Sequence, residues 1–242
     1  MRIVVKVGTS TLAHPTGQLN IRHVEELVKV LSDLKNAGHE MILVSSGAIG
    51  MGVGKLNLPG RPTDIPTKQA AAAVGQCELM YTYDRLFTEY NHTVAQILLT
   101  GEDIDDAERR ANFENTMERL LELKVLPIIN ENDTVTTAEI KVGDNDTLGG
   151  IVACSVKADL LVLLSDIEGL YTADPHKDPT ATLIKDISYR EALNRGLRVM
   201  DASAFALCAE NNVPMVRVFG LDDPRNLISV LEGSDIGTFV HP

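Results

Sequence analysis

Runs of consecutive apolar residues alternate along this chain with longer segments in which apolar residues recur every three or four positions. Such runs predict buried strands, and they lie at residues 2–7, 41–45, 96–99, 125–130, 159–165 and 216–220. The segments between them, such as 22–37 and 67–90, predict helices, and a short helix at 224–232 closes the chain. Strands that are apolar throughout are covered on both faces, so the pattern predicts an α/β protein with a mostly parallel central sheet.

Segments rich in glycine or proline separate these elements. Residues 45–54 (SSGAIGMGVG) predict a glycine-rich turn after the second strand. The loop at 57–68 contains prolines and is a candidate lid or interface loop, and the loop at 172–181 is the best candidate for a boundary between lobes. We therefore expect one domain with two joined lobes, residues 1–174 and 175–242.

The chain is acidic, and its charge limits the classes of partner. Its 242 residues include 34 Asp and Glu against 22 Lys and Arg, which gives a net charge of −12. A phosphate backbone favours a basic face, so nucleic acid is not the expected partner, but a nucleotide needs only a few local donors. No apolar run reaches the roughly 18 residues of a membrane span, and the start is not a signal peptide, so we expect a cytoplasmic protein without a membrane partner.

The cysteines give no sign of a metal site. Cys77, Cys154 and Cys208 stand far apart in helix-like segments, and their spacing matches no metal-binding pattern. An odd number of cysteines fits reduced thiols. We expect each of them to be a buried structural residue.

Residues suited to chemistry follow the first two predicted strands, at the edge where the ligands of a parallel sheet collect. Lys6 and Gly8 lie at the end of the first strand, and Ser46 and Gly47 follow the second. Neither turn matches G-x-x-x-x-G-K-[ST], but small residues there leave backbone N–H groups open to an anion. From its position alone, Lys6 fits either a phosphate ligand or an ordinary surface charge.

Two polar clusters, NEND at 130–133 and GDND at 143–146, follow the fourth strand. They contain Asp133, Asn145 and Asp146, and burying so many polar groups is costly unless they bind something. The alternative is a cap for the helix that begins at TLGG, which would stabilise it by about 1 kcal/mol. One residue suffices for a cap, so the two clusters favour a binding site.

The fifth strand also ends in polar residues. Ser165 and Asp166 follow it, and Tyr171 and Asp174 come a few positions later. An aromatic ring and an acid after a strand suit the base and ribose of a nucleotide. The same residues fit an ordinary turn equally well.

Seven colinear segments resemble the glutamate 5-kinases, which belong to the amino acid kinase family. They are KVGTSTL, VSSGAIGMG, KQAAAAVGQ, QILLT, PIINENDTV, EIKVGDND and SDIEGLYTADP, within about residues 1–183. The resemblance implies a three-layer sandwich that uses ATP and Mg²⁺ to phosphorylate the side-chain carboxylate of L-glutamate. Glutamyl 5-phosphate, the product, is the first intermediate of proline biosynthesis. A cytoplasmic homo-oligomer, a dimer or a tetramer, is expected.

The resemblance also implies a role for each candidate residue. Lys6 and Asp146 would be catalytic, because the lysine meets the transferred phosphate and the acid orients it. Glutamate would bind to Ser46, Asp133 and Asn145. ATP would contact Lys6, Gly8, Gly47, Ser165, Asp166, Tyr171 and Asp174.

The last part of the chain departs from this pattern. The resemblance implies a glycine-rich motif with a second lysine here, but residues 194–212 read NRGLRVMDASAFALCAENN. About residues 175–239 instead resemble the UMP kinases of the same family, so the chain looks like a hybrid, and the PUA domain of many glutamate 5-kinases is not found. The cations that could replace the lysine are Arg195, Arg198, Arg217 and Arg225.

Three functions follow from these resemblances. Glutamate is the favoured acceptor, because the first lobe carries the NEND and GDND clusters and no uridine-binding pattern. UMP kinase activity is the alternative. The third is a weakly active hybrid that binds nucleotide but transfers phosphate slowly.

Overall fold

The computed structural model describes the chain apart from residues 15–17, 137–144, 174, 176, 198–199, 201 and 220–222, and it leaves out the side chains of residues 10, 11 and 217–219. In the described part an eight-stranded sheet lies at the centre. Its spatial order is β3 (Val94–Leu99), β4 (Leu126–Glu131), β2 (Glu40–Ser45), β1 (Arg2–Val7), β5 (Leu160–Ser165), β9 (Met215–Phe219), β10 (Thr238–His241) and β8 (Asp186–Ser188). Its described strand pairs are parallel except for β9 with β10, so several carboxyl ends meet at one edge. A separate antiparallel ribbon joins β6 (Leu170–Tyr171) to β7 (Leu183–Ile184).

Helices cover both faces of this sheet. In chain order they are α1 (Thr9–Leu12), α2 (Ile21–Asn36), α3 (Ala48–Lys55), α4 (Ile65–Thr88), α5 (Gly101–Asp105), α6 (Ala107–Glu122), α7 (Asp146–Ser155), α8 (Tyr189–Asn194), α9 (Ala202–Glu210) and α10 (Asn226–Leu231). Ile3 and Val5 of β1 pack in one core with α2 and α4, whereas Val4 packs in the other with α6, α7 and α9. Successive side chains of a strand point to opposite faces, and the predicted three-layer sandwich is confirmed.

Most predicted elements are present. The six predicted strands are β1 to β5 and β9, and their bounds differ from the prediction by at most two residues. The expected closing helix was wrong as the last element, because β10 follows α10. The residues of β10 alternate between buried and less buried positions and do not form an apolar run, so the hydrophobic pattern did not reveal this strand. The division into lobes at 172–181 stays a prediction.

The cysteines and the helix lengths bear on two further expectations. Cys154 and Cys208 are buried as expected, and their Sγ atoms lie 3.8 Å apart. Cys77 is exposed, contrary to the expectation, because it lies on the outer face of α4.

In the described part of the chain, no helix is both long enough and apolar enough to cross a membrane.

Helix α3 forms inside the segment that was predicted as a glycine-rich turn. Only Gly47 makes the turn, with a φ of +104°, so the prediction was wrong for the residues after it. Glycine disfavours an isolated helix, but here it lets two helices touch. A Cβ on Gly52 would lie 1.8 Å from the carbonyl oxygen of Ala71, and a Cβ on Gly75 would lie 1.7 Å from that of Ala48. Packing of α3 against α4 therefore overrides the local propensity.

A methyl group at Gly75 should destabilise the protein. Gly75→Ala gains about 1 kcal/mol of helix propensity, but overpacking costs about 1–3 kcal/mol and the overlap here is with backbone. Because backbone can yield little, we place the cost at the upper end of that range and expect a net loss of about 2 kcal/mol in the free energy of unfolding, measured in urea. Gly101→Ala is the matched control, because Gly101 begins α5 and no atom lies within 4 Å of its added Cβ. Equal stability of the two variants would contradict the close crossing.

Candidate functional site

The carboxyl edge of the sheet gathers most of the buried polar side chains in the described part of the chain. They come from the ends of β1, β2, β4 and β5 and from the start of α7. These side chains are Lys6, Ser45, Ser46, Asn130, Asp133, Asn145, Asp146 and Ser165. Buried polar groups need partners, so this edge is the candidate site.

Lys6 and Asp146 form an ion pair at this edge. Nζ of Lys6 lies 2.6 Å from Oδ1 of Asp146, and each side chain is only 11% exposed. Asp146 is the first residue of α7, where the helix dipole favours a carboxylate. Gly149 lets α7 approach the stem of the lysine, since a Cβ there would lie 3.3 Å from Cβ of Lys6. The helix and the strand together hold an ammonium group in one place.

Asn145 occupies the cap position of α7, but its side chain does not cap the helix in the described structure. Its Nδ2 donates instead to the carbonyl oxygen of Ser45 at 3.3 Å and to Oδ1 of Asn130 at 3.1 Å. Its own Oδ1 is buried and has no hydrogen-bond partner among the described residues. A buried acceptor without a donor is unfavourable, so this atom is suited to receive a donor from a ligand.

The turns after β2 and β4 bring two more candidates to the same edge. Ser46 is buried, and its backbone N–H donates to the carbonyl oxygen of Val7 at 3.1 Å. Gly47 follows in a left-handed conformation that residues with a Cβ rarely adopt. Asp133, just after β4, is also buried. The predicted acceptor-binding residues therefore share an edge with the ion pair.

Two glutamines support this edge and were missed from the sequence. Nδ2 of Asn130 donates to Oε1 of Gln76 at 2.9 Å, and Nε2 of Gln76 donates to Oε1 of Gln96 at 2.9 Å. The amides connect β4, α4 and β3 behind Asn145. Gln76 ends the KQAAAAVGQ segment, but Asn130 lies 54 positions further on, and periodicity does not reveal such a contact.

The predicted nucleotide contacts lie at the end of β5 and on the ribbon after it. Ser165 is buried, and its Oγ donates to Oδ1 of the exposed Asp166 at 3.3 Å. Oη of Tyr171 donates to Oε2 of Glu168 at 3.0 Å, and burial together with this bond raises the pKa of Tyr171. Asp174 lies outside the described residues.

Four arginines could replace the second lysine that the resemblance implies, and the structure describes the side chains of two of them. Arg195 pairs with Glu191 within α8 and its cap, and Arg225 pairs with Asp223, with Nε 2.8 Å from Oδ1. This guanidinium, through its hydrogen bond, lowers the pKa of Asp223. The structure describes only the backbone of Arg217, which pairs with Leu163, and Leu163 pairs in turn with Lys6. Arg198 lies outside the described residues.

Comparison with known proteins covers nearly the whole chain. The chain is 49% identical to the glutamate 5-kinase of Symbiobacterium thermophilum over 98% of its length and 94% of that protein. It is 50% identical to the glutamate 5-kinase of Clostridium tetani over 98% of its length and 93% of that protein. These alignments include most of the segment at 175–239 that resembles UMP kinases, and the hybrid origin of that segment stays a prediction.

Solved structures agree on the fold. The UMP kinase of Ureaplasma parvum superposes with a TM-score of 0.73 at 17% identity, over 100% of this chain and 98% of that chain. The UMP kinase of Bacillus anthracis gives a TM-score of 0.70 at 17% identity, over 99% and 95%. The model of the amino acid kinase family matches residues 1–218. With its sheet, its edge of buried polar residues and these relatives, the chain belongs to the amino acid kinase family.

Proposed function

We propose that this chain transfers the γ-phosphate of ATP, bound as its magnesium complex, to the side-chain carboxylate of L-glutamate. The product would be glutamyl 5-phosphate, the first intermediate of proline biosynthesis. The observation that carries the proposal is the Lys6–Asp146 pair beside a buried Oδ1 of Asn145 that lacks a donor among the described residues. The 49% and 50% identity to proteins named glutamate 5-kinase supports it.

Transfer to a carboxylate needs positioning and charge neutralisation rather than a general base. The side-chain carboxylate of glutamate is ionised at neutral pH and is already a nucleophile. Its oxygen attacks the γ-phosphorus, the bond from that phosphorus to the β–γ bridging oxygen breaks, and ADP leaves. The ammonium of Lys6, held by Asp146, would offset charge on the transferring group, and a charge that is already fixed needs little reorganisation. Magnesium on ATP would offset further phosphate charge.

The acceptor side suits an amino acid better than a nucleotide. The carboxylate of Asp133 and Oδ1 of Asn145, which has no donor among the described residues, are hydrogen-bond acceptors, and an ammonium group offers three donors. Ser46 would bind another polar end of glutamate. The phosphate of UMP is an anion whose oxygens accept hydrogen bonds, so the carboxylate of Asp133 would repel it. This chemistry favours glutamate over the UMP alternative.

The nucleotide would bind along the neighbouring strand ends. Small residues after β1 and β2 would present backbone N–H groups to its phosphates, and polar residues after β5 would meet its base and ribose. The residues proposed for ATP are Lys6, Gly8, Gly47, Ser165, Asp166, Tyr171 and Asp174. The expected homo-oligomer and the cytoplasmic location stay predictions.

The identity of the acceptor separates the three candidate functions. With ATP and magnesium present, we expect ADP release in a coupled assay to depend on L-glutamate and not on UMP, because the site offers oxygens to an ammonium group. Turnover with UMP alone would contradict the proposal and support the UMP kinase alternative. Saturable ATP binding without turnover on either acceptor would support the weakly active hybrid.

Removing the charge of Lys6 should remove most of the activity. Lys6→Met keeps much of the stem beside Gly149 but no ammonium, and we expect kcat to fall by about 10²–10³-fold, the usual effect of losing one electrostatic stabiliser. Lys29→Ala is the control, because Lys29 is a 53% exposed lysine on α2 that also pairs with an acid. The melting temperature of each variant is measured as well, since the substitution leaves Asp146 without its ion-pair partner. A folded Lys6→Met variant with unchanged turnover would refute the assigned role.

A further inference from the structure

Tyr83 is a fully buried residue of α4 whose hydroxyl has no part in the mechanism above. We propose that Tyr83 is a positioning residue for the acceptor site, because its hydroxyl, acting through Oγ of Ser45, holds the carbonyl group of Ser46. The inference rests on the proposed function, since it gives a use to the placement of Ser46. It concerns how the site is held in shape rather than which groups touch the substrate.

The hydroxyl of Tyr83 lies 3.0 Å from Oγ of Ser45, and both residues are 0% exposed. Oγ of Ser45 in turn donates to the carbonyl oxygen of Ser46 at 3.1 Å. A serine hydroxyl has one hydrogen, so Ser45 must accept from Tyr83, and the chain of donors runs from Tyr83 to Ser45 to the carbonyl of Ser46. Burial raises the pKa of Tyr83, which keeps the phenol protonated as this order requires.

The other backbone groups around Ser46 are held as well. The carbonyl oxygen of Ser45 accepts from Nδ2 of Asn145 at 3.3 Å, and the N–H of Ser46 donates to the carbonyl oxygen of Val7 at 3.1 Å. The peptide group before Ser46 is therefore fixed from two sides. The carbonyl of Ser46, in the peptide after it, receives its described hydrogen bond from Ser45.

That second peptide group is the weaker point of the turn. It joins Ser46 to Gly47, which has a φ of +104°, and glycine allows a peptide to rotate where other residues resist. Without the hydroxyl of Tyr83, Ser45 loses its donor and is free to turn away from the carbonyl of Ser46. We therefore expect the side chain of Ser46 to occupy its binding orientation for a smaller fraction of the time.

The test compares two buried tyrosines. Tyr83→Phe removes one hydroxyl behind the acceptor site, and Tyr189→Phe removes a hydroxyl that donates to the carbonyl oxygen of Val213, ahead of the amino end of β9. We expect Tyr83→Phe to lower kcat/KM for glutamate about 5–10-fold, the effect of one lost hydrogen bond. The Kd of ATP, measured without glutamate, should stay within about twofold of wild type. Tyr189→Phe should keep the wild-type kcat/KM for glutamate even where its melting temperature falls as far.

A double-mutant cycle with Ser45→Ala gives a second readout, and the melting temperature of each variant shows whether it is folded. Ser45→Ala should lower kcat/KM for glutamate to a similar degree, and the double variant should be little worse than either single variant, because both remove the same chain of donors. Given glutamate turnover by the wild type, three results would overturn the inference but not the proposed function. They are an unchanged kcat/KM in Tyr83→Phe, equal losses of kcat/KM in Tyr83→Phe and Tyr189→Phe, and additive losses in the double variant. Absence of glutamate turnover in the wild type would overturn the proposed function together with the inference.

Discussion

The candidate site depends on one ion pair, between the ammonium of Lys6 and the carboxylate of Asp146. The two atoms lie 2.6 Å apart and both side chains are largely buried. Separating them would leave a buried charge without its partner, which is strongly unfavourable. Lys6 is held by the middle of the sheet, where β1 has neighbours on both sides. Asp146 is held by the start of α7, which Gly149 lets approach the lysine. The sheet order and this helix therefore set the position of the charge that the proposed transfer needs.

Around this pair, the acceptor side is built from backbone constraints more than from charges. The contact of α3 with α4 at Gly52 and Gly75 fixes the helix that follows the turn at Gly47. Asn145 occupies the cap position of α7, but its side-chain nitrogen donates to β2 and β4, and its side-chain oxygen has no partner among the described residues. Hydrogen bonds that hold the described acceptor residues in place before the substrate arrives lower the entropy lost on binding.

Much of this arrangement could be predicted from the sequence, because buried parallel strands are continuous apolar runs and their carboxyl ends share one edge. That rule alone brings Lys6, Ser46 and Asp133 together. The sequence favoured a site over a cap at Asn145, but it could not give the direction of the side chain, which bonds to Ser45 and Asn130 and does not cap α7 in the described structure. Helix α3 was missed because a contact with α4, distant in sequence, stabilises glycines that disfavour a helix locally. Gln76 was missed for the same reason: its partner is distant in the chain.

If this edge of the sheet forms an acyl phosphate on glutamate, that product can be trapped chemically. Hydroxylamine converts acyl phosphates into stable hydroxamates, which mass spectrometry identifies. The protein is incubated with ATP, magnesium, L-glutamate and hydroxylamine, and hydroxamate and ADP are both quantified. We expect glutamyl 5-hydroxamate in an amount equal to the ADP released. Glutamate-dependent ADP release without any hydroxamate would contradict the proposed function.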